Sequence, residues 1–156
     1  MATTEPTTEP TTEPTTDVVS DLVRMLEDSC RSFSEAADRL GQAGRLDIAV
    51  RFEDFAEERA MLGEELRTVA ADNGIAVGDG GSAGDVLIDL TDAPTDDDAD
   101  AVLRAVERCE DRTVAGFDRA LSYGDVPPEL EPTVRRQTAE IRSARNEVVA
   151  FLQEEL

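Results

Sequence analysis

The chain has no histidine, no lysine and no tryptophan, and its 156 residues include only five phenylalanines and one tyrosine. Each absence removes a class of function. Without histidine, a serine or cysteine nucleophile lacks its usual base, so triad-type hydrolysis has no support. The glycine-rich stretch GDGGSAGD lacks the lysine and the spacing of a phosphate-cradling loop. No apolar run approaches the ~18 residues of a membrane span. The N-terminus has neither basic residues nor an apolar core segment, so no secretory leader is expected, and the expected location is cytoplasmic. With aromatics at 4%, aliphatic side chains must fill most of any core. Two cysteines, Cys30 and Cys109, are too few for a disulfide framework; small buried thiols are expected, with a redox pair as the alternative.

What is present is acid. Thirty-six Asp and Glu against 15 basic residues, all of them arginine, set a net charge of −21. Such a surface repels phosphate backbones and anionic lipid, so neither nucleic acid nor membrane is an expected partner. A protein partner or a second copy stays open. The opening MATTEPTTEPTTEPTT repeats TTEP, and without large apolar residues it cannot offset its ordering entropy, so residues 1–16 are expected to be a disordered tail.

From Asp17 the spacing turns helical. Val19, Leu22, Leu26, Cys30, Phe33, Ala37 and Leu40 form one stripe behind Thr16 as N-cap, and GQAG ends it. A second helix is expected from Arg45 to Asn73, with Ile48, Phe52, Phe55, Arg59, Leu62, Leu66 and Val69 on its stripe. A crossover with a short helix near Asp85 to Leu90 follows. The third helix, capped by Thr95, carries Leu103, Val106, Glu110, Thr113, Phe117 and Ala120 as far as Ser122. The fourth is expected from near Pro127 or Pro128, although Pro132 conflicts with a start that early unless the first turn is irregular, with Leu130, Val134, Gln137, Ile141, Ala144, Val148 and Phe151 on its stripe. Short turns make two antiparallel hairpins, and about 22 residues between them can span the ~43 Å of the second helix. The expected class is therefore all-α: a four-helix bundle over residues 17–156 with one long crossover, the ferritin-like arrangement.

In that topology the second and third helices run parallel, which brings the off-pattern polar residues Arg59, Glu110 and Gln137 to one mid-bundle layer. Ferritin-like proteins hold two metals at this height with Glu and Glu-x-x-His. Here the positions three after Glu58 and Glu140 are Met61 and Ser143, and Arg59 adds a fixed positive charge that a divalent metal would repel. The favoured expectation is a structural polar core of Arg59, Glu110 and Gln137 with no metal and no cofactor. The alternative is iron or manganese held by Glu58, Glu110 and Glu140.

The stretches FEDFAEERAMLGEEL, AVERCEDRTVAGFDRAL, DVPPEL and RRQTAEIRSARNEV, in this order, resemble ferritin-like four-helix-bundle proteins known only as a domain of unknown function. The resemblance covers Asp17 to Leu156. Its most specific parts are Glu58-Arg59, the run Glu107-Arg108 with Glu110-Asp111, and Gln137 followed by Glu140-Ile141. It implies the ferritin fold and carries no established activity. Its pattern commonly places a histidine five residues after the fourth-helix glutamate, where this chain has Arg145, and acidic residues mid-way along the first helix, where it has Cys30 and Arg31. The expected function is a non-enzymatic bundle with a stress-associated or protein-interaction role. A metalloprotein with an incomplete ligand set and a thiol-responsive bundle are the alternatives.

Overall fold

A computed structural model describes residues 9–78 and 99–155. They form four helices: α1 (Glu9–Gln42), α2 (Leu46–Asp72), α3 (Ala99–Ser122) and α4 (Glu131–Glu155), with no strand among the described residues. The protein is an all-α, four-helix bundle. The expected short helix near residues 85–90 and the Thr95 cap lie outside the described residues.

Two helix starts differ from the sequence expectation. The α1 backbone is helical from Glu9, eight residues before the expected start at Asp17. Pro10 falls in the first turn, where its missing N–H would have had no partner, whereas Pro14 stands inside the helix and gives up one backbone bond. Residues 9–16, expected in the disordered tail, are therefore part of the helix, and residues 1–8 lie outside the described residues. The other difference is in α4, which begins at Glu131 rather than at Pro127 or Pro128. The backbone N–H of Val134 donates to Leu130 O at 3.0 Å, the first helical bond. Pro132 thus occupies a first-turn position with no bond to lose.

The ends of α1, α2 and α3 share one device. In α2, Gly74 N–H donates to Ala71 O and Ile75 N–H to Ala70 O, the paired bonds of a Schellman cap. Gly44 and Gly124 close α1 and α3 in the same way, all three glycines at positive φ where a side chain would be strained.

Ion pairs between helices set their directions. Arg67 on α2 reaches Glu27 on α1 at 2.9 Å, while Arg59 meets Ser29, so α1 and α2 are antiparallel. Arg145–Asp111 at 2.8 Å and Arg142–Asp118 make α3 and α4 antiparallel. Arg51–Glu147 at 2.6 Å and Arg136–Glu65 tie α2 to α4, also antiparallel. It follows that α2 and α3 run in the same direction. They sit diagonally across the bundle, with α1 and α4 each packed between them.

The core divides into two apolar clusters along the axis. Around the α1–α2 turn lie Phe33, Leu40, Ile48, Phe52, Phe55, Leu103 and Val148. Around the α3–α4 turn lie Leu22, Leu26, Leu62, Leu66, Phe117, Leu130 and Ile141. No helix among the described residues is long and apolar enough to cross a membrane.

Candidate functional site: the buried polar layer

Between the two clusters, α1, α2 and α3 bring Ser29, Arg59 and Glu110 together in one buried polar layer. Arg59 is 2% exposed and Glu110 is fully buried. The guanidinium donates to both carboxylate oxygens, with Nη1 to Oε2 at 2.8 Å, a fork-to-fork geometry that satisfies both charges at once. Nη1 also donates to Ser29 Oγ, and Ser29 Oγ in turn lies 3.5 Å from Glu110 Oε2. The Arg59 guanidinium carbon stands 5.1 Å from the centre of the Phe33 ring, adding a cation–π contact from the apolar side. Thr113, one turn beyond Glu110, turns its hydroxyl back to Cys109 O at 3.1 Å. The local cause of this convergence is helical phase: Arg59, Glu110 and Ser29 occupy stripe positions that are otherwise apolar, so packing the stripes buries them together.

The structure does not place the other expected residues in this layer. Gln137 is buried on α4, but its Nε2 donates to Leu62 O and to Glu65 Oε1, each at 3.0 Å, and not to the Arg59–Glu110 pair. Its Oε1 is buried with no hydrogen-bond partner among the described residues. Glu58 is exposed and lies 3.8 Å from Arg51. Glu140 is exposed on α4 beside Arg136. Glu58, Glu110 and Glu140 therefore point to different environments, and the metal-ligand set expected as the alternative is not assembled. The reason is again phase: Glu58 precedes the buried Arg59 by one residue, about 100° round the helix, and Glu140 likewise precedes the buried Ile141. Among the described residues no three His, Cys, Asp or Glu side chains gather at a point.

A family model matches residues 14–123, more than half of the chain. The chain belongs to the family described as Domain of unknown function (DUF2383). No curated protein and no solved structure matches it. The DUF2383 match takes in Ser29, Arg59 and Glu110 and stops at the turn after α3, so the whole ion-paired layer lies inside it, whereas Gln137 and Glu140 lie beyond.

The two cysteines of this DUF2383 chain are free thiols in different settings. Cys109 is buried beside Glu110, and burial together with that neighbouring negative charge pushes its pKa from 9.0 to about 12, against a weaker lowering by a hydrogen bond from Ser32. Cys30 is half-buried at the edge of the aromatic cluster, and its pKa is raised mainly by burial. A raised pKa means little thiolate, so neither is built as a nucleophile. Asp28, one residue before Ser29, is also held above its usual value by burial, offset in part by Arg31.

Ser29 is the member that sequence reasoning missed. The stripe Leu22, Leu26, Phe33 can be continued through residue 29 or 30, since steps of three and four both fit a 3.6-residue turn. Cys30 was the more apolar choice; the bundle instead buries Ser29 and Ser32 and leaves Cys30 at the edge. The signal was available as two serines at a spacing of three within an apolar face.

Proposed function

We propose that this DUF2383 chain is a ferritin-like helical bundle with a non-enzymatic, protein-interaction role. One observation carries the reading: the ion-paired layer between α1, α2 and α3 consumes its own charges. Arg59 and Glu110 face each other bidentately, Ser29 joins them, and both ions are buried. Both carboxylate oxygens of Glu110 accept from Arg59, and a divalent cation entering the layer would have to displace a guanidinium held at hydrogen-bond distance. The parallel run of α2 and α3, flanked by antiparallel hairpins, supports the ferritin-like topology with its long crossover.

Titration with ferrous or manganous ion under anaerobic conditions tests the reading. The expected result is an unchanged melting temperature throughout the titration, whereas a specific site would stabilise the fold by ~2.7 kcal/mol once free metal reached about 100 times its dissociation constant. Metal-dependent stabilisation that Glu110→Gln removes would establish a metal site in this layer and overturn the reading.

A further inference from the structure

A peroxide attacks a cysteine as its thiolate, and both cysteines of this chain are held protonated at neutral pH. Burial and the charge of Glu110 push Cys109 up to about 12, and burial raises Cys30. A thioether has no proton to lose, so methionine oxidation does not depend on a pKa. The methionines are therefore the oxidisable sulfurs to consider.

There are three. Met1 lies outside the described residues. Met61 is 64% exposed on α2. Met25 on α1 is half-buried and packs, like Val114 and Leu121 of α3, against the aliphatic cluster that contains Leu22, Leu26 and Phe117. Its seat on α3 is Gly116. A β-carbon at Gly116 would stand 2.8 Å from Met25 Sδ and nearer still to its Cε, closer than such contacts come in proteins. The bare glycine makes the room for the thioether, at a helix-interior position where alanine would otherwise be the better helix former. Met25 also lies one turn before Ser29, so this notch borders the ion-paired layer.

We propose that Met25, seated in the Gly116 notch, is a peroxide-sensitive modification site whose oxidation loosens α1 from α3. A sulfur lone pair attacks one oxygen of hydrogen peroxide, the O–O bond breaks, and an S–O bond forms. The other oxygen leaves as water with both protons. Sulfur loses two electrons and the peroxide gains them. The product sulfoxide is polar and carries an extra oxygen, which the glycine surface and the aliphatic cluster leave without a hydrogen-bond donor. The modified side chain must leave the notch, and α1 loses its contact with α3 there. Reduction of the sulfoxide by an enzyme using a dithiol returns the thioether, so the change is reversible. No step needs a metal at Glu110, and the proposal stands apart from the reading above.

Peroxide treatment of the full chain, followed by peptide mass mapping and thermal unfolding, tests this. Met61 should gain oxygen first with no change in melting temperature, because its side chain already faces water. Oxygen at Met25 should arrive more slowly and lower the melting temperature by roughly 5 °C. Sulfoxide reductases for both epimers should restore the original value. Met25→Leu, a near volume-conserving change, should fold and lose the response, whereas Met61→Leu should keep it. Gly116→Ala tests the notch itself. Its β-carbon displaces the flexible thioether rather than the backbone, so Met25 should oxidise several times faster than in the wild type, with a smaller fall in melting temperature. The proposal is overturned if Met25 stays unoxidised under prolonged treatment of the folded protein, or if its oxidation leaves the melting temperature unchanged. It is also overturned if treated Met25→Leu falls as far as the wild type, or if Met25 reacts at the same rate with glycine and alanine at position 116.

Discussion

The half of the bundle around the α1–α2 turn holds Phe33, Phe52, Phe55 and Phe151, whereas the half around the α3–α4 turn is packed from leucine, valine and isoleucine with one ring, Phe117. The rings of the first half are locked by geometry: Phe33 meets Phe52 edge-on at 5.3 Å and Phe55 at 5.1 Å, and Phe52 contacts Phe151 at 6.2 Å. Arg51 and Arg59 lie over Phe55 and Phe33, so this half also anchors cations. Among the described residues the aliphatic half shows no ring-stacking or cation–π contact. The comparison shows why the polar layer belongs where it is. It closes the aromatic half on one side, with Phe33 as platform, and separates it from the aliphatic cluster on the other. It is a boundary between two packing regimes.

The largest expected effect breaks that boundary. Glu110→Ala strands the Arg59 charge in the interior and should cost ~3–5 kcal/mol, read from urea unfolding. Next come the two halves themselves. Phe52→Leu removes an interlocked ring and should destabilise by more than Leu66→Met, a near volume-conserving change expected to cost under ~1.5 kcal/mol. Equal losses in the two variants would show that the aromatic half is no more specifically packed than the aliphatic one.

These predictions separate what was legible in the sequence from what was not. The stripes of α2, α3 and α4 were readable because Phe52, Leu66, Val106, Phe117, Val134 and Ile141 recur at helical spacing, and all are buried. The Arg59–Glu110 pair was readable too, since two opposite charges on apolar stripes of helices running in parallel have few other ways to be satisfied. Gln137 was not. An amide is satisfied by any nearby acceptor, and the backbone of Leu62 with the carboxylate of Glu65 lay closer than the buried pair. The start of α4 was placed too early because two prolines in succession look like a first turn, although Pro132 fits a first turn only where the helix begins later, as it does at Glu131.

A smaller effect concerns the thiols that line the aromatic half. Cys109, with a folded pKa of about 12 against 9.0, holds a proton that the unfolded chain releases. Its contribution to stability is therefore intact below pH 9 and is lost as pH rises from there toward 12. At pH 8 a disulfide reagent should label Cys30 first in the native protein and Cys109 only on unfolding. Rapid labelling of both would contradict the burial of Cys109. The smallest effect is expected at Gln137. Gln137→Met gives up the hydrogen bonds to Leu62 and Glu65 but also removes a buried oxygen with no hydrogen-bond partner among the described residues, so the net change should stay within ~1 kcal/mol. A loss of several kcal/mol would show that Gln137 is coupled to the central layer after all.

The central claim is that Arg59 and Glu110 form a closed structural pair rather than a site. The most direct test compares the unfolding free energy of Glu110→Ala with that of the double variant Arg59→Leu with Glu110→Leu. If the pair serves only to neutralise itself within the bundle, the double variant should recover most of the ~3–5 kcal/mol lost by the single one, because leucines at both positions join the two apolar clusters. A double variant as unstable as Glu110→Ala, or less stable, would contradict the account.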